Sequence, residues 1–473
     1  MQQLTERQKV RAIYDLIGER GLYVNTNFDV FTANPEEISL AGGAGYKIPL
    51  LQANSSGYAS PLLFSALTAL LNQGTMFITG APGIGKTTGA EFAGHFFTGA
   101  PLEDILAAEI KGNPQLTEEK MVARYNVGKL VTTGEEEVKP RKLLECPVKI
   151  IDEGNRMPAD TLSIIMDLVD RGIVIYGDTV LRATPGPLYL TANYADEGTF
   201  QFTPPFLDRF DVAVMVTSPL PSDLTRIRQR GDEKLNGGLD ALLEIPSNLK
   251  LDFEAIRRQI KELPQEKMYD ISRVSAFADF LYGSLRFSEA ASGNITRATK
   301  GNAWAVNQDN ATAGHFTDDS FTYTLNELSI RTVKAMERYA RAYAWFNGKD
   351  KVELSDLKTV LPYLLWHKVQ PTSKALAEDP QWANDRISFV QGLIAKVEGE
   401  YNELEGSDTL KLYAAALHAL RAGKIGDRVL SDEDKRNIAR NSITNIGNTD
   451  KPYAIMLAHH IAAEYNRGVN ERE

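Results

Sequence analysis

The stretch Gly80-Ala81-Pro82-Gly83-Ile84-Gly85-Lys86-Thr87 fits the pattern GxxxxGK[ST] at every defined position. The residues before it, Thr75 to Thr79, form a short apolar and β-branched run suited to a buried parallel strand. Those after it, from Lys86 to about Phe97, place Ala, Glu and Phe at helical spacing. Strand, glycine loop and helix in this order predict an α/β unit whose loop N–H groups cradle a phosphate at a helix N-terminus. Gly80, Ala81, Pro82, Gly83, Ile84, Gly85, Lys86 and Thr87, with Thr88 beside them, are the candidate nucleotide-binding residues. Lys86 would reach the β and γ phosphates, and the Thr87 hydroxyl would ligate Mg²⁺. The blander alternative is a glycine-rich turn that only caps a helix. The flanking elements disfavour it, so the chain is expected to bind a nucleoside triphosphate.

Downstream, Val148-Lys149-Ile150-Ile151-Asp152-Glu153 is an apolar strand ending in two adjacent carboxylates, a Walker B arrangement. Asp152 is the candidate metal ligand, acting mostly through water because Mg²⁺ keeps several of its waters. Glu153 is the candidate for orienting or deprotonating an attacking water. Pro187 to Asn193 is a further strand ending in a polar residue. In a parallel sheet the C-terminal edge carries the ligand site, so Asn193 can hydrogen-bond the γ-phosphate or the attacking water.

Along the chain of 473 residues the pattern divides into four parts. Residues 1–54 form an N-terminal extension, with a helix over 5–21 that places Val10, Ile13, Tyr14 and Ile17 on one face. Residues 22–58 show no clear period. Residues 55–219 carry the α/β core. Between its phosphate-loop helix and the strand at 148 lies a long insertion, 99–147, with a helical stretch in TEEKMVARYNV. A helix over Thr161–Asp170 precedes a hairpin, 171–182, turning at Gly177-Asp178. Residues 220–370 read as helical, with a Ser/Gly/Asn/Thr-rich insertion at 288–324, a helix over Leu328–Phe346 and another capped by Ser355. Residues 371–473 hold three or four helical segments without strand signal.

Net charge is −10 and the pI about 5.4, which disfavours broad nonspecific binding to nucleic acid or acidic membranes. No apolar run approaches the ~18 residues of a membrane span, and the charged N-terminus lacks an apolar signal core. Cys146 is the only cysteine, so no intrachain disulfide can form, and it reads as a small buried apolar residue. A cytoplasmic address is the expectation. Lys129, Arg141 and Lys142 read as solvated surface. His459 and His460 point in different directions on a helix and lack a third metal ligand. Arg209 has two readings: a surface pair with Asp208, or positive charge supplied to a hydrolysis reaction.

GAPGIGKTT, KIIDEGNRMP, RGIVIYGDTVLR, LTANYADEGTF and FLDRFD occur in the order seen in AAA+ ATPases of the MoxR type, which the chain resembles over roughly residues 60–370. The region NELSIRTVKAMERYARAYAWFNGKDKVELSDLKTVLPYLLWHK resembles that family's helical lid. The resemblance implies a three-layer αβα P-loop core, a helical lid over 220–370 and an additional C-terminal helical region. It implies that 99–147 is a helix-2 insert and that 171–182 is the hairpin before sensor 1. Asn193 would be sensor 1, Arg209 the arginine finger and Arg331 sensor 2, while Asn155 and Arg156 would lie near a subunit boundary. It further implies ATP hydrolysis with Mg²⁺ in a homo-oligomeric, hexameric ring. The ring would remodel or activate a protein partner in a chaperone-like way, often one with a von Willebrand A domain.

The chain departs from the family pattern at Gly154, usually Ile, and at Ser329-Ile330-Arg331, usually Ser-Pro-Arg. Two other classes stand beside this one: a nucleic-acid-linked AAA+ motor or restriction-type GTPase, and a regulatory scaffold that binds nucleotide without turnover. The acidic pI and the lack of a recognisable DNA-binding module weigh against the first. The intact set of Lys86, Asp152, Glu153, Asn193 and Arg209 weighs against the second.

Overall fold

A computed structural model describes residues 4–20, 22, 36–39, 45–48, 60–193, 201–216, 228, 242–286, 320–447 and 452–470. Most of the 22–58 stretch, the YADEGTF part of the fourth motif and the 288–324 insertion up to residue 319 lie outside the described residues. The chain forms two units, Met1–Leu263 with Arg338–Asp350 and Pro264–Glu337 with Lys351–Glu473.

The first unit is built on five strands: β1 (Thr75–Gly80), β2 (Ile110–Lys111), β3 (Lys149–Asp152), β4 (Leu188–Ala192) and β5 (Val212–Val216). Their order is β5-β1-β4-β3-β2, and every neighbouring pair is parallel. All five residues of β4 are buried, because helices cover both faces of a parallel sheet, and this is why its strands read as unbroken apolar runs. Helix Pro61–Leu70, buried along its whole length, starts with proline after the Ser60 cap, whose hydroxyl accepts the Leu63 N–H at 3.0 Å. Helix Lys86–Thr98 follows the glycine loop. Parallel register aligns the C-terminal ends of β1, β3 and β4, so Gly80, Asp152 and Asn193 come to one edge of the sheet. This is the expected α/β core with flanking helices.

The N-terminal helix, Glu6–Glu19, is held at its start by a reciprocal cap between Thr5 and Gln8. Val10, Ile13, Tyr14 and Ile17 are its buried face. Tyr14 reaches the Ser60 hydroxyl at 2.6 Å and meets Phe346 edge-on at 5.3 Å, so the helix is a working part of this unit's core.

Four local readings change. The stretch at 99–147 contains β2, a two-residue edge strand of the core sheet, so it is not wholly an insertion. Within it, TEEKMVARYNV is helical at Glu118–Met121 and again only at its last residue, Val127, where helix Val127–Thr133 starts. Met121, Val122 and Ala123 are all buried, which one face of a surface helix cannot achieve with consecutive residues. The chain instead extends, and Ala123–Tyr125 pairs antiparallel with Val138–Pro140. Helix Leu354–Leu365 begins one residue after Glu353, whose N–H donates to the Asp356 carboxylate at 2.9 Å, so Ser355 lies in the first turn and is not the cap. In the tail, Lys424–Ile425 and Arg428–Val429 form a small hairpin around Gly426 and Asp427, with Gly426 at φ +56°. The Gly177-Asp178 hairpin is present as read, pairing Ile173–Tyr176 with Thr179–Arg182.

The second unit is mainly helical. Its helices include Arg273–Arg286, Leu354–Leu365, Arg386–Glu405, Asp408–Ala422, Asp432–Gly447 and Pro452–Asn470, and Arg273 holds both carboxylate oxygens of Glu405 at 2.7 Å. No helix among the described residues is long and apolar enough to cross a membrane.

Because Ile13 is fully buried, Ile13→Ala should destabilise the first unit by about 2–5 kcal/mol through lost burial and a residual cavity. Val131→Ser, at a residue 78% exposed, should stay within about 0.5 kcal/mol. Urea unfolding of both variants checks the contrast, and equal midpoints would mean that the N-terminal helix is not part of the cooperative core.

Candidate active site

The loop between β1 and helix Lys86–Thr98 turns on Gly85, which sits in the left-handed region at φ +85° as the residue before the helix. A side chain there would be strained, and the glycine lets the loop run straight into the helix N-terminus. Lys86 is the first helical residue and is 6% exposed. Its ammonium donates to Gly80 O at 3.0 Å, Ala81 O at 2.7 Å and Asn193 Oδ1 at 2.7 Å. Burial lowers its pKa from the usual lysine range, and the charges of Asp152 and Glu153 oppose that shift.

Two carboxylates leave the end of β3 and take up different contacts. Asp152 Oδ1 accepts from Thr87 Oγ1 at 2.5 Å and from Thr191 Oγ1 at 2.6 Å. Glu153 adopts left-handed backbone at φ +50°, uncommon for a residue with a side chain, and this turns it away from the strand direction. Its Oε1 accepts from Asn193 Nδ2 at 2.7 Å, and its Oε2 lies 3.2 Å from Arg156 Nε. Asn193 thus bridges Lys86 and Glu153 with the two ends of one amide. Asn155 Nδ2 donates to Asn193 O at 3.3 Å, and the buried Asn155 Oδ1 has no hydrogen-bond partner among the described residues.

Two supporting residues were not singled out from sequence. Thr191, fully buried on β4, binds Asp152 and also accepts the Glu153 N–H at 3.0 Å. The signal for it is positional: it stands two residues before Asn193, at the same sheet edge. Gly112 follows β2 and donates its N–H to Asp152 O at 2.7 Å. A Cβ on Gly112 would lie 2.2 Å from Glu153 O, so only glycine lets β2 approach the turn that aims Glu153. The departure at Gly154 has a packing reason as well. A Cβ there would meet Leu190 Cδ1 at 2.3 Å, so Leu190 fills the room that a larger residue would need.

Thr87, Asp152 and Thr191 present hard oxygen atoms, the donor type that suits Mg²⁺. No group of three or more His, Cys, Asp or Glu side chains fit to hold a metal occurs among the described residues. A cation here would therefore draw further ligands from phosphate oxygens and water, as Mg²⁺ commonly does.

Arg209 lies at the end of the short helix Pro204–Leu207. Its Nε donates to Asp170 Oδ2 at 3.0 Å and its Nη1 to Pro205 O at 2.6 Å, so its acidic partner is Asp170 and not Asp208. Arg331 is exposed in the first turn of helix Ile330–Phe346, within the second unit. Cys146 is buried, and burial raises its thiol pKa. Arg141 and Lys129 are half-buried and Lys142 is exposed. His460 meets the Tyr413 hydroxyl at 2.6 Å, while the His459 side chain lies outside the described residues.

Comparison with known proteins agrees with this geometry. Residues 75–210 match the AAA domain of the dynein-related subfamily, and residues 325–388 match the AAA lid domain. A solved structure of a putative ATPase from Cytophaga hutchinsonii superposes with a TM-score of 0.54 at 18% identity, covering 83% of this chain and 94% of that one. At that identity the likeness speaks for the fold. No curated protein shows significant similarity to the chain. The strand order, the phosphate loop facing paired carboxylates and the two matched segments define a P-loop ATPase of the AAA+ class.

Thr191→Val keeps the shape of the side chain and removes both of its hydrogen bonds. ATP turnover should fall about 10- to 100-fold, as for other groups that orient a metal ligand. The Mg²⁺ concentration giving half-maximal rate should rise with it. Unchanged turnover and Mg²⁺ dependence would show that Asp152 and Glu153 hold their places without Thr191.

Proposed function

We propose that this AAA+ ATPase is of the MoxR type and hydrolyses ATP in a cytoplasmic hexameric ring to remodel a protein partner. The observation that carries the catalytic part is the continuous chain of contacts from Lys86 through Asn193 to Glu153. In this reading the loop from Gly80 to Thr88 wraps the phosphates, and phosphate oxygens take the place of the carbonyls now around Lys86. Thr87 and Asp152 hold Mg²⁺, which when bound neutralises phosphate charge. Glu153 takes the proton of the attacking water. Asn193 touches both the lysine that meets the γ-phosphate and the base, so occupancy of one is felt by the other.

Arg209 would act on the ATP of a neighbouring subunit, with Asp170 and the Pro205 carbonyl holding its guanidinium in a set direction. Arg331 would serve the same reaction from the lid. The net charge of −10 weighs against the alternative of a nucleic-acid motor.

The partner-remodelling part rests on exposed apolar surface. Helix Val127–Thr133 buries none of its residues and exposes Val127 at 65% and Val131 at 78%. The 173–182 hairpin exposes Ile175 at 56% and Val180 at 55%. Tyr125 and Tyr176 join the two elements, with ring centroids 5.4 Å apart. Exposed apolar residues grouped in this way mark interaction surfaces. A protein partner carrying a von Willebrand A domain is the reading the family resemblance favours.

Glu153→Gln keeps the hydrogen-bonding shape but loses the base. It should bind ATP with near-normal affinity while turnover falls about 10²- to 10⁴-fold, whereas Lys86→Ala should weaken binding itself. Wild-type turnover in Glu153→Gln would place the base elsewhere.

Mixing Arg209→Ala with Lys86→Ala subunits tests the shared site. Recovery of part of the activity is expected, because some mixed interfaces then carry one intact lysine and one intact arginine. No recovery in rings shown to contain both subunits would remove Arg209 from the neighbour's reaction.

A further inference from the structure

The turn that aims Glu153 carries a second side chain into the catalytic edge. Gly154–Arg156 is a single 3₁₀ turn, closed by the Arg156 N–H on Glu153 O at 2.9 Å and the Met157 N–H on Gly154 O at 3.1 Å. It is fixed at both ends, by the left-handed backbone of Glu153 before it and by the fully buried Met157 after it. Asn155 stands at its centre and is 5% exposed, so its amide lies inside its own unit. Asn155 Nδ2 donates to Asn193 O at 3.3 Å. β4 ends at Ala192, so that carbonyl stands one residue past the strand.

The amide cannot be turned round, because Oδ1 would then face a carbonyl oxygen and the bond would be lost. In the orientation that makes the bond, the buried Oδ1 has no hydrogen-bond partner among the described residues. An apolar side chain of this size would avoid that desolvated acceptor, so asparagine is a costly choice for the fold. A polar group kept at such a cost points to a task in the site. The contacts show what the task is, because two segments are joined twice. Asn193 donates from its side chain to Glu153 Oε1 at 2.7 Å and accepts with its backbone from Asn155, two residues further along the same turn. One bond fixes a distance and leaves rotation about it; two bonds between the same segments remove the rotation. Asn193 is then held with its oxygen 2.7 Å from the Lys86 ammonium and its nitrogen toward Glu153.

We infer that Asn155 is a positioning residue for ATP hydrolysis, acting through Asn193: its Nδ2 bond fixes the asparagine that links Lys86 to Glu153. The inference rests on the reading that Glu153 and Asn193 serve the hydrolytic step. It separates two supports of the site. Thr191 steadies the metal ligand Asp152, and Asn155 steadies the amide between the lysine and the base.

The test is steady-state ATPase of the full-length protein as wild type, Asn155→Ala, Asn193→Ala and the double variant. Asn155→Ala should lower kcat by roughly 10- to 100-fold, the loss expected when a supporting group lets a reacting group move. KM for ATP and the Mg²⁺ concentration giving half-maximal rate should each stay within about twofold of wild type. In the double variant kcat should lie within about threefold of Asn193→Ala alone, because an amide that is absent needs no orienting. A residue that only supports the fold would instead multiply its loss with that of Asn193→Ala and weaken ATP binding as well. Multiplied losses, an unchanged kcat in Asn155→Ala, or an effect on KM alone would each overturn the inference. If Asn155→Ala does not fold, Asn155→Asp takes its place in the same cycle with the same expectations, since it keeps the shape and sets an acceptor against the Asn193 carbonyl. Asn193→Ala at the wild-type rate would overturn the underlying reading of the site and the inference with it. A slow Asn193→Ala beside a wild-type Asn155→Ala would overturn the inference alone.

Discussion

One amide group ties the catalytic edge together. Asn193 accepts from the Lys86 ammonium with its oxygen and donates to the Glu153 carboxylate with its nitrogen, both at 2.7 Å. Asn193 is 8% exposed and Lys86 6%, so these bonds are shielded from competing water. In such surroundings an unpaired charge is expensive and a paired one is held firmly. The amide lets a cation and an anion share a confined space without direct contact. Their separation is then set by a rigid planar group, which leaves both charges addressable.

That arrangement depends on the sheet beneath it. Parallel pairing of β4 with both β1 and β3 carries the phosphate loop, the carboxylates and the asparagine to one edge, where the strand order changes direction around β1. The positions are refined by close backbone approaches. Gly112 presses against the Glu153 carbonyl, and Thr191 reaches both Asp152 and the Glu153 N–H. The left-handed backbone of Glu153 is strained for a non-glycine residue, and it is bounded by these contacts on two sides. Strain held by its neighbours in this way keeps the carboxylate in one orientation before any ligand arrives. In the proposed mechanism this spares the reaction the cost of reorganising its base.

Arg209 shows a contrasting case, a cation held by Asp170 at the surface of its unit with 18% of its side chain exposed.

Much of the core was legible in the sequence because its signals are local. The glycine loop, the apolar runs of β1, β3 and β4 and the Gly177-Asp178 turn each sit within a few residues, and backbone conformation there follows from residue type. The buried face of the N-terminal helix was readable from its period for the same reason. What tertiary structure alone decided is non-local. β2 is two residues long, too short for any periodicity, and is a strand only because β3 pairs with it. Gly112 and Thr191 are ordinary residues until β2 and β4 bring them to Glu153. Arg209 meets Asp170 in place of its neighbour Asp208 because the chain between them folds back.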